Sequence, residues 1–252
     1  MGEQQRFGGK VAIVTGAGSG IGRATAVRLG TEGAAVGCLD IAFDAAQATA
    51  DTIAKDGGRA EAARCDVSDP ESVATAVAHV VDTLGRPEVL CNIAGIGKFA
   101  HSHEMPLADW KRIIDVNLTG TFLMCQAVLP HLLAGGGTII NTASNAGLIG
   151  QAYSAAYCAS KGGVVMLTKA LANEYIKSGV RVNAVAPGGT DTPIQGDFGL
   201  PEGADPKFLY KIMSPLGMAT PEELASLFAY VASDEARYMT GSVVSMDGGV
   251  AS

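Results

Sequence analysis

At 252 residues, 48% apolar and only 17% charged, the chain is long enough to bury one large core and too apolar to stay unfolded, and no linker or compositional shift divides it. A formal charge of -7, from 18 Lys+Arg against 25 Asp+Glu, supplies no basic face for phosphates and argues against nucleic acid as a partner. The start "MGEQQRFGGK" lacks a hydrophobic signal core and has Arg6 where a myristoylation signal has Ser or Thr, so the expectation is a cytoplasmic protein whose five dispersed cysteines stay reduced.

The first strand is "KVAIVT" (10–15), and a glycine-rich turn, "TGAGSGIG" (15–22), leads from it into a helix. Glycine at 16, 20 and 22 allows a tight turn, close approach of backbone to a pyrophosphate, and N–H groups of Gly16, Ser19, Gly20, Ile21 and Gly22 turned toward the anion at a helix N-terminus. The second strand, "AAVGCLD" (34–40), ends on Asp40, 18 residues after Gly22, where a carboxylate that binds ribose hydroxyls belongs. Asp40 is equally placed to cap the helix that follows, and the two roles are compatible. Ser19 and Ile41 provide no cation for a 2′-phosphate, so NAD is expected rather than NADP.

Further along come the strands "AEAARCDV" (60–67) and "EVLCNIA" (88–94), separated by a helix opened by Asp-Pro. The "HSH" at 101–103 has no third ligand at metal spacing, and no metal is expected. A long helical pattern, "LADWKRIIDVNLTGTFLMCQAVLPHLL", lies largely within a stretch, 116–160, that has no Asp, Glu, Lys or Arg. Asn117, Pro130, His131 and Asn141 interrupt that stretch before 18 apolar residues accumulate, so burial, partly against another subunit, is expected rather than a membrane span. Strand "GTIINTA" (137–143) precedes Ser144, and "YCASK" (157–161) opens a helix. Strand "VRVNAVA" (180–186) leads to a Gly- and Pro-rich loop, 193–215, which carries Phe198, Leu200, Phe208, Leu209 and Met213. A loop of that length and character is expected to be a lid over an apolar substrate, with a short helix near 206–212. A helix opened by Thr-Pro and the strand "SVVSMD" (242–247) complete the chain.

Strands alternating with helices predict a doubly wound α/β (Rossmann) fold: a seven-stranded parallel sheet with helices on both faces, in a single domain. The cofactor half would cover about 7–150, the catalytic and substrate half about 137–252, and the lid about 192–215.

On a helix, Tyr157 and Lys161 stand one turn apart on the same face. Tyrosine titrates near about pH 10 and is a poor base at neutral pH, but a lysine cation held beside it favours the phenolate. Hydride transfer from an alcohol needs such a base and a donor to the developing oxyanion, and Ser144 lies 13 residues earlier, just past the end of a strand, where ligands of these sheets bind.

Together, "TGAGSGIG", "DV" (66–67), "NIAG" (92–95), "DVNLTG" (115–120), "NTASNAG" (141–147), "YCASK", "RVNAVAPGGTDT" (181–192) and "MTGSVVSMDGG" (239–249) resemble, in order and spacing, the classical short-chain dehydrogenase/reductase family over essentially the whole chain. The resemblance implies that Ser144 binds the substrate oxygen and Tyr157 is the acid/base. Lys161 would hold nicotinamide-ribose hydroxyls and tune Tyr157, and Asn117 would hold a water in the proton relay. Asp66 would bind the adenine amino group with Val67 beside it; Asn92, Ala94 and Gly95 would line the adenosine side; Pro187, Gly188, Thr190 and Thr192 would hold the nicotinamide. Ile93 and Thr190 depart from the family's usual residues, the first affecting strand packing and the second the setting of the carboxamide. The function implied is an NAD(H)-dependent oxidoreductase interconverting a small apolar secondary alcohol and a ketone, as a homotetramer like many relatives. The alternatives are a 3-oxoacyl-carrier-protein reductase using NADPH and a dinucleotide sensor without catalysis.

Overall fold

Along β1 (Val11–Thr15), Ala12 and Val14 enter one core while Val11 and Ile13 enter the other, as the two-residue period of a strand buried on both faces requires. The computed structural model describes residues 5–251. Its other strands are β2 (Ala35–Asp40), β3 (Arg59–Arg64), β4 (Pro87–Asn92), β5 (Gly137–Thr142), β6 (Val180–Pro187) and β7 (Val243–Met246). They form one sheet in the order β3-β2-β1-β4-β5-β6-β7, and every neighbouring pair is parallel. All seven expected strands are present. The largest difference is at β3, which stops at Arg64 because Cys65 and Asp66 already turn toward the next helix.

One core packs α1 (Gly20–Thr31), α2 (Phe43–Lys55) and α7 (Pro221–Ala232) on the sheet through Leu29, Ile53, Leu224 and Phe228. The opposite core uses α3 (Pro70–Leu84), α5 (Gly120–Leu133) and α6 (Ala155–Glu174), through Val77, Val80, Met124, Leu132 and Leu171. Each such side chain contributes roughly 1.5–3 kcal/mol by leaving water. The start signals act as expected. The Asp69 side chain accepts from the Glu71 amide ahead of Pro70, and Thr220 forms a capping box with Glu223 ahead of Pro221.

The long pattern 107–133 is α4 (Leu107–Ile114), a π-helical turn over Asp115–Thr119, and α5, without a break. Among the described residues this is the one helix long and apolar enough to cross a membrane by length and composition alone; in this fold its inward face is core. The segment 193–215 contains two 3-10 turns, Pro193–Asp197 and Pro206–Ile212, the second where a short helix was expected. Tyr238 lies outside both cores, 96% exposed.

Candidate active site

The strand order reverses between β1 and β4, and there the C-terminal ends of the strands open a cleft of about 630 Å³. At one end is the glycine turn. Gly16 has φ 68° and passes so near the β4 loop that a Cβ would lie 2.9 Å from the Ala94 backbone. Gly20 also has positive φ, at 49°. The glycines thus leave a backbone cradle that any side chain would fill. Ser19 precedes α1 and makes no side-chain cap, so the first N–H groups of that helix face the cleft.

Asp40 lines the same end. Its Oδ2 accepts from the Gly18 amide (2.9 Å) and its Oδ1 from the Ala42 amide (2.9 Å), so it braces the glycine turn and starts the loop into α2. Each oxygen keeps acceptor capacity for a ribose hydroxyl. Deeper along the cleft, the Ser68 hydroxyl (2.6 Å) and amide (3.0 Å) both donate to Asp66 Oδ1. These bonds hold that carboxyl below its ordinary range against partial burial, with Arg112 and Arg64 adding to the effect. Cradle, helix N-terminus and paired acceptors fit a nicotinamide dinucleotide, which Gly16, Ser19, Gly20, Ile21, Gly22, Asp40, Ile41, Asp66 and Val67 would hold.

The far end of the cleft is the floor of the site. Ser144 follows β5 and starts a 3-10 turn, its Oγ accepting from the Ala146 amide (3.1 Å). Tyr157 and Lys161 project from the first turns of α6 into the same floor. Desolvation deep in the cleft pushes the Tyr157 phenol up to about 12, and the nearby Ser144 hydroxyl offsets part of that rise. Burial lowers the Lys161 ammonium to about 8. Lys161 Nζ donates to the Thr142 carbonyl (2.8 Å) and lies 5.7 Å from the centre of the Tyr157 ring. This differs from the expectation that a Lys161 cation beside Tyr157 favours the phenolate. In this arrangement the Lys161 ammonium is committed to a carbonyl, and burial raises the phenol.

Asn117 sits fully buried in the π-helical turn. Its Oδ1 accepts from the Ile96 amide (2.9 Å), and its Nδ2 donates to the Ile96 carbonyl (2.9 Å) and to Ser160 Oγ (3.0 Å). Its side chain therefore braces the β4 loop against α6, and its own carbonyl accepts from Thr121 Oγ1 (2.7 Å).

Asn92 departs from the expectation that it lines the adenosine side. Its side chain turns away from the cleft to donate to Asn141 Oδ1 (2.9 Å) and Cys125 Sγ (3.3 Å), while Ile93, Ala94 and Gly95 form the wall. Pro187, Gly188, Thr190 and Thr192 line the cleft beside β6, and Thr190 bridges to Ala219. The segment 193–215 packs against the site through Phe198. The Phe198 ring meets Tyr157 edge-on (5.3 Å) and packs on Phe99 (4.9 Å). His101 reaches the same segment, with Nε2 3.0 Å from the Glu202 carbonyl. Asn145 and Gln151, beside Ser144, were not anticipated; nothing in their spacing marks them, because a loop brings them together.

A family model described as Enoyl-(Acyl carrier protein) reductase matches residues 16–251, nearly the whole of the fold just described. The chain belongs to the short-chain dehydrogenase/reductase family. It is 42% identical to a cyclohexanol dehydrogenase of Acinetobacter sp. (strain SE19), over 96% of this chain and 95% of that one. It is 43% identical to a cis-4-hydroxycyclohexanecarboxylate dehydrogenase of Sinomonas cyclohexanicum, over 97% and 98%. The crystal structure of a short-chain type dehydrogenase/reductase from Mycobacterium marinum superposes with a TM-score of 0.89 at 39% identity, covering 98% of each chain. As a short-chain dehydrogenase/reductase, this chain is an oxidoreductase of alcohols and ketones that uses a nicotinamide dinucleotide.

Proposed function

We propose that the protein interconverts a secondary alcohol and a ketone with NAD(H), using Tyr157 as the proton-transferring group. The observation that carries this reading is the convergence of Ser144, Tyr157 and Lys161 on one floor of a cleft whose other end holds the glycine cradle and Asp40. Bound nicotinamide supplies the hydride acceptor or donor. Ser144 orients the substrate oxygen, and Tyr157 gives that oxygen a proton on reduction or takes one on oxidation. Lys161, below its ordinary value yet still mostly charged at neutral pH, offers donors at the floor beside Gly95. With the phenol near 12, reduction starts from the resting protonation state, whereas oxidation needs the phenolate. Oxidation is therefore expected to quicken as pH rises from about 7 to 10.

The relatives named for cyclohexanol and hydroxycyclohexanecarboxylate support a secondary alcohol on a compact apolar body, and Phe99, Ile194 and Phe198 in the cleft suit such a body. An NADPH-dependent acyl-carrier-protein reductase is disfavoured by Asp40, whose carboxylate would face a 2′-phosphate. A sensor would have no use for the Tyr157 constellation. Tyr157→Phe keeps the ring against Phe198 and removes the proton carrier, so turnover should fall by about 10²–10⁴-fold while NADH binding, read by fluorescence, persists. Near wild-type turnover across the pH range would refute the assignment.

A further inference from the structure

The segment 193–215 is tied down at its base and fastened at one joint in between. Where the chain leaves and rejoins the sheet, the Asp191 amide donates to the Ala219 carbonyl and the Ala219 amide to the Gly189 carbonyl, both at 2.9 Å. Near the end of the segment the Ser214 hydroxyl donates to the Gly248 carbonyl (3.0 Å). Apart from bonds within its own turns, the stretch 196–213 makes two hydrogen bonds to other parts of the fold among the described residues. The Asp205 amide donates to the Tyr153 hydroxyl (3.0 Å), and His101 Nε2 stands 3.0 Å from the Glu202 carbonyl. The two anchors touch each other, the His101 ring meeting Tyr153 edge-on at 5.3 Å.

Tyr153 carries this joint on a strained backbone. Its φ of 63° is the one left-handed value outside glycine among the described residues. Its carbonyl accepts from the Ala100 amide (2.8 Å), which ties it to the β4 loop, and α6 begins two residues later. Ser154, at the N-cap of α6, makes no cap bond and is buried with its hydroxyl unpaired. The chain thus accepts two local costs at the turn into the helix that bears Tyr157. An ordinary backbone at Tyr153 would relieve the strain, but it would carry the ring away from Asp205.

We propose that Tyr153 is a positioning residue that latches the segment 193–215 over the cleft, and that its strained backbone keeps the latch easy to release. The effect on turnover rests on the dehydrogenase reading above; the latch itself does not. Asp205 caps the 3-10 turn Pro206–Ile212, its carboxylate accepting from the Lys207 amide (3.0 Å), so the amide that Tyr153 holds belongs to the residue that starts that turn. Leu209 and Ile212 on the turn line the cleft, while Lys207, Phe208, Tyr210 and Lys211 are exposed. Fixing Asp205 therefore fixes one wall of the substrate space. Phe198 reaches Phe99 and Tyr157 through ring contacts alone, which permit sliding, so direction comes from the Tyr153 hydroxyl and His101. With both bonds broken, 196–213 is held by its base. The closed segment keeps water from the hydride transfer, and the open one admits alcohol and releases ketone. Strain stored at Tyr153 in the closed state is recovered on opening, which offsets part of the bonding lost.

The test is limited proteolysis of the full-length protein with trypsin, read at Lys207 and Lys211 by mass spectrometry, because cleavage of a segment that opens and closes quickly follows its open fraction. Tyr153→Phe keeps the ring against His101 and removes the hydroxyl, so cleavage there should quicken roughly two- to tenfold, the range of one neutral hydrogen bond. Its Tm should stay within about 2 °C of wild type, because the opening is local. Adding His101→Phe, which removes the contact to Glu202, should raise cleavage further. With NAD and cyclohexanol, Tyr153→Phe should raise KM severalfold while kcat holds or rises, since a looser segment releases product sooner. Cleavage at the wild-type rate, or faster cleavage that only follows a lower Tm, overturns the latch, and so does a fall in kcat at unchanged KM. If the wild type turns over no secondary alcohol, the dehydrogenase reading fails, and the cleavage rates still decide the latch.

Discussion

Asp40 braces the glycine turn and, in the function proposed above, would also hold a cofactor ribose. Its carboxylate takes two backbone amides, Gly18 and Ala42, each at 2.9 Å. A hydrogen bond to a charged acceptor is worth about 1.5–3 kcal/mol. At this partly exposed site the lower figure applies, so Asp40→Ala should cost about 3 kcal/mol of stability. For a domain of this size that corresponds to a Tm lower by roughly 6–12 °C. Two ribose hydroxyls lose their acceptor as well, so NAD should weaken, while NADP gains from removal of a like charge beside its 2′-phosphate. The ratio of kcat/KM for NADP over NAD should therefore rise by at least about tenfold. Asp40→Asn sheds the charge but keeps one acceptor; its Tm should fall about half as far, with the cofactor ratio moving the same way. Thermal unfolding and kinetics at a fixed alcohol concentration read the two effects separately. A lowered Tm with an unchanged cofactor ratio, or a wild type that prefers NADP, would reduce Asp40 to a brace of the glycine turn.

Arg181 donates to the carbonyls of Val231, Ala232, Ser233 and Met239 at 3.1–3.3 Å, closing the C-terminal end of α7, so Arg181→Ala should cost roughly 2–4 kcal/mol in urea unfolding, and a loss below 0.5 kcal/mol would refute this role. Lys161, near 8 folded against about 10.5 unfolded, lets the unfolded chain bind a proton that the folded chain releases, so its contribution to stability rises from pH 8 to 10.5, by up to roughly 3 kcal/mol. Buried Cys38, Cys65, Cys91 and Cys125, each pushed up to about 12, act oppositely above about pH 9, so the readout is the difference between wild type and Lys161→Met, which should grow in favour of wild type from pH 7.5 to 9.5; a flat difference would refute it.

The central strands were legible because they are buried on both faces, and the cofactor end was legible because Gly16, Gly20, Gly22 and Asp40 lie close in sequence and act through backbone. What escaped are side-chain directions and loop meetings. Asn92 ends β4 as a wall residue would, but alternation along the strand turns its amide to the opposite face. The meeting of Phe198 with Tyr157, some 41 positions apart, depends on how the lid folds, and the sole trace in sequence is Gly97, where any Cβ would collide with the Phe198 ring. The Lys161 correction has the same origin: a four-residue spacing puts Lys161 and Tyr157 on one face, but the reach of the lysine to the Thr142 carbonyl is set by the distance between α6 and β5.

That distance is itself fixed by polar groups buried beneath the site. Asn92 donates to Asn141, Asn141 to Thr168 on α6, and Thr142 Oγ1 to the Asn92 carbonyl, so β4, β5 and α6 are joined by bonds of 2.7–3.0 Å behind the floor. In front, Asn117 ties Ile96 to Ser160, which in turn donates to the Tyr157 carbonyl at 2.7 Å. Apolar residues in these places would avoid the desolvation of several amides and the unpaired Asn92 Oδ1, and so would cost the fold less. Apolar contacts, however, tolerate sliding and rotation of a helix, whereas each of these bonds weakens steeply as donor and acceptor separate or lose alignment. Tyr157 and Lys161 both depend on the position of α6: in the proposed function the first must meet an oxygen that Ser144 would hold, and the second keeps the Thr142 carbonyl. The buried amides hold α6 where both can be met, and the π-helical turn that delivers Asn117 to the interior belongs to the same arrangement.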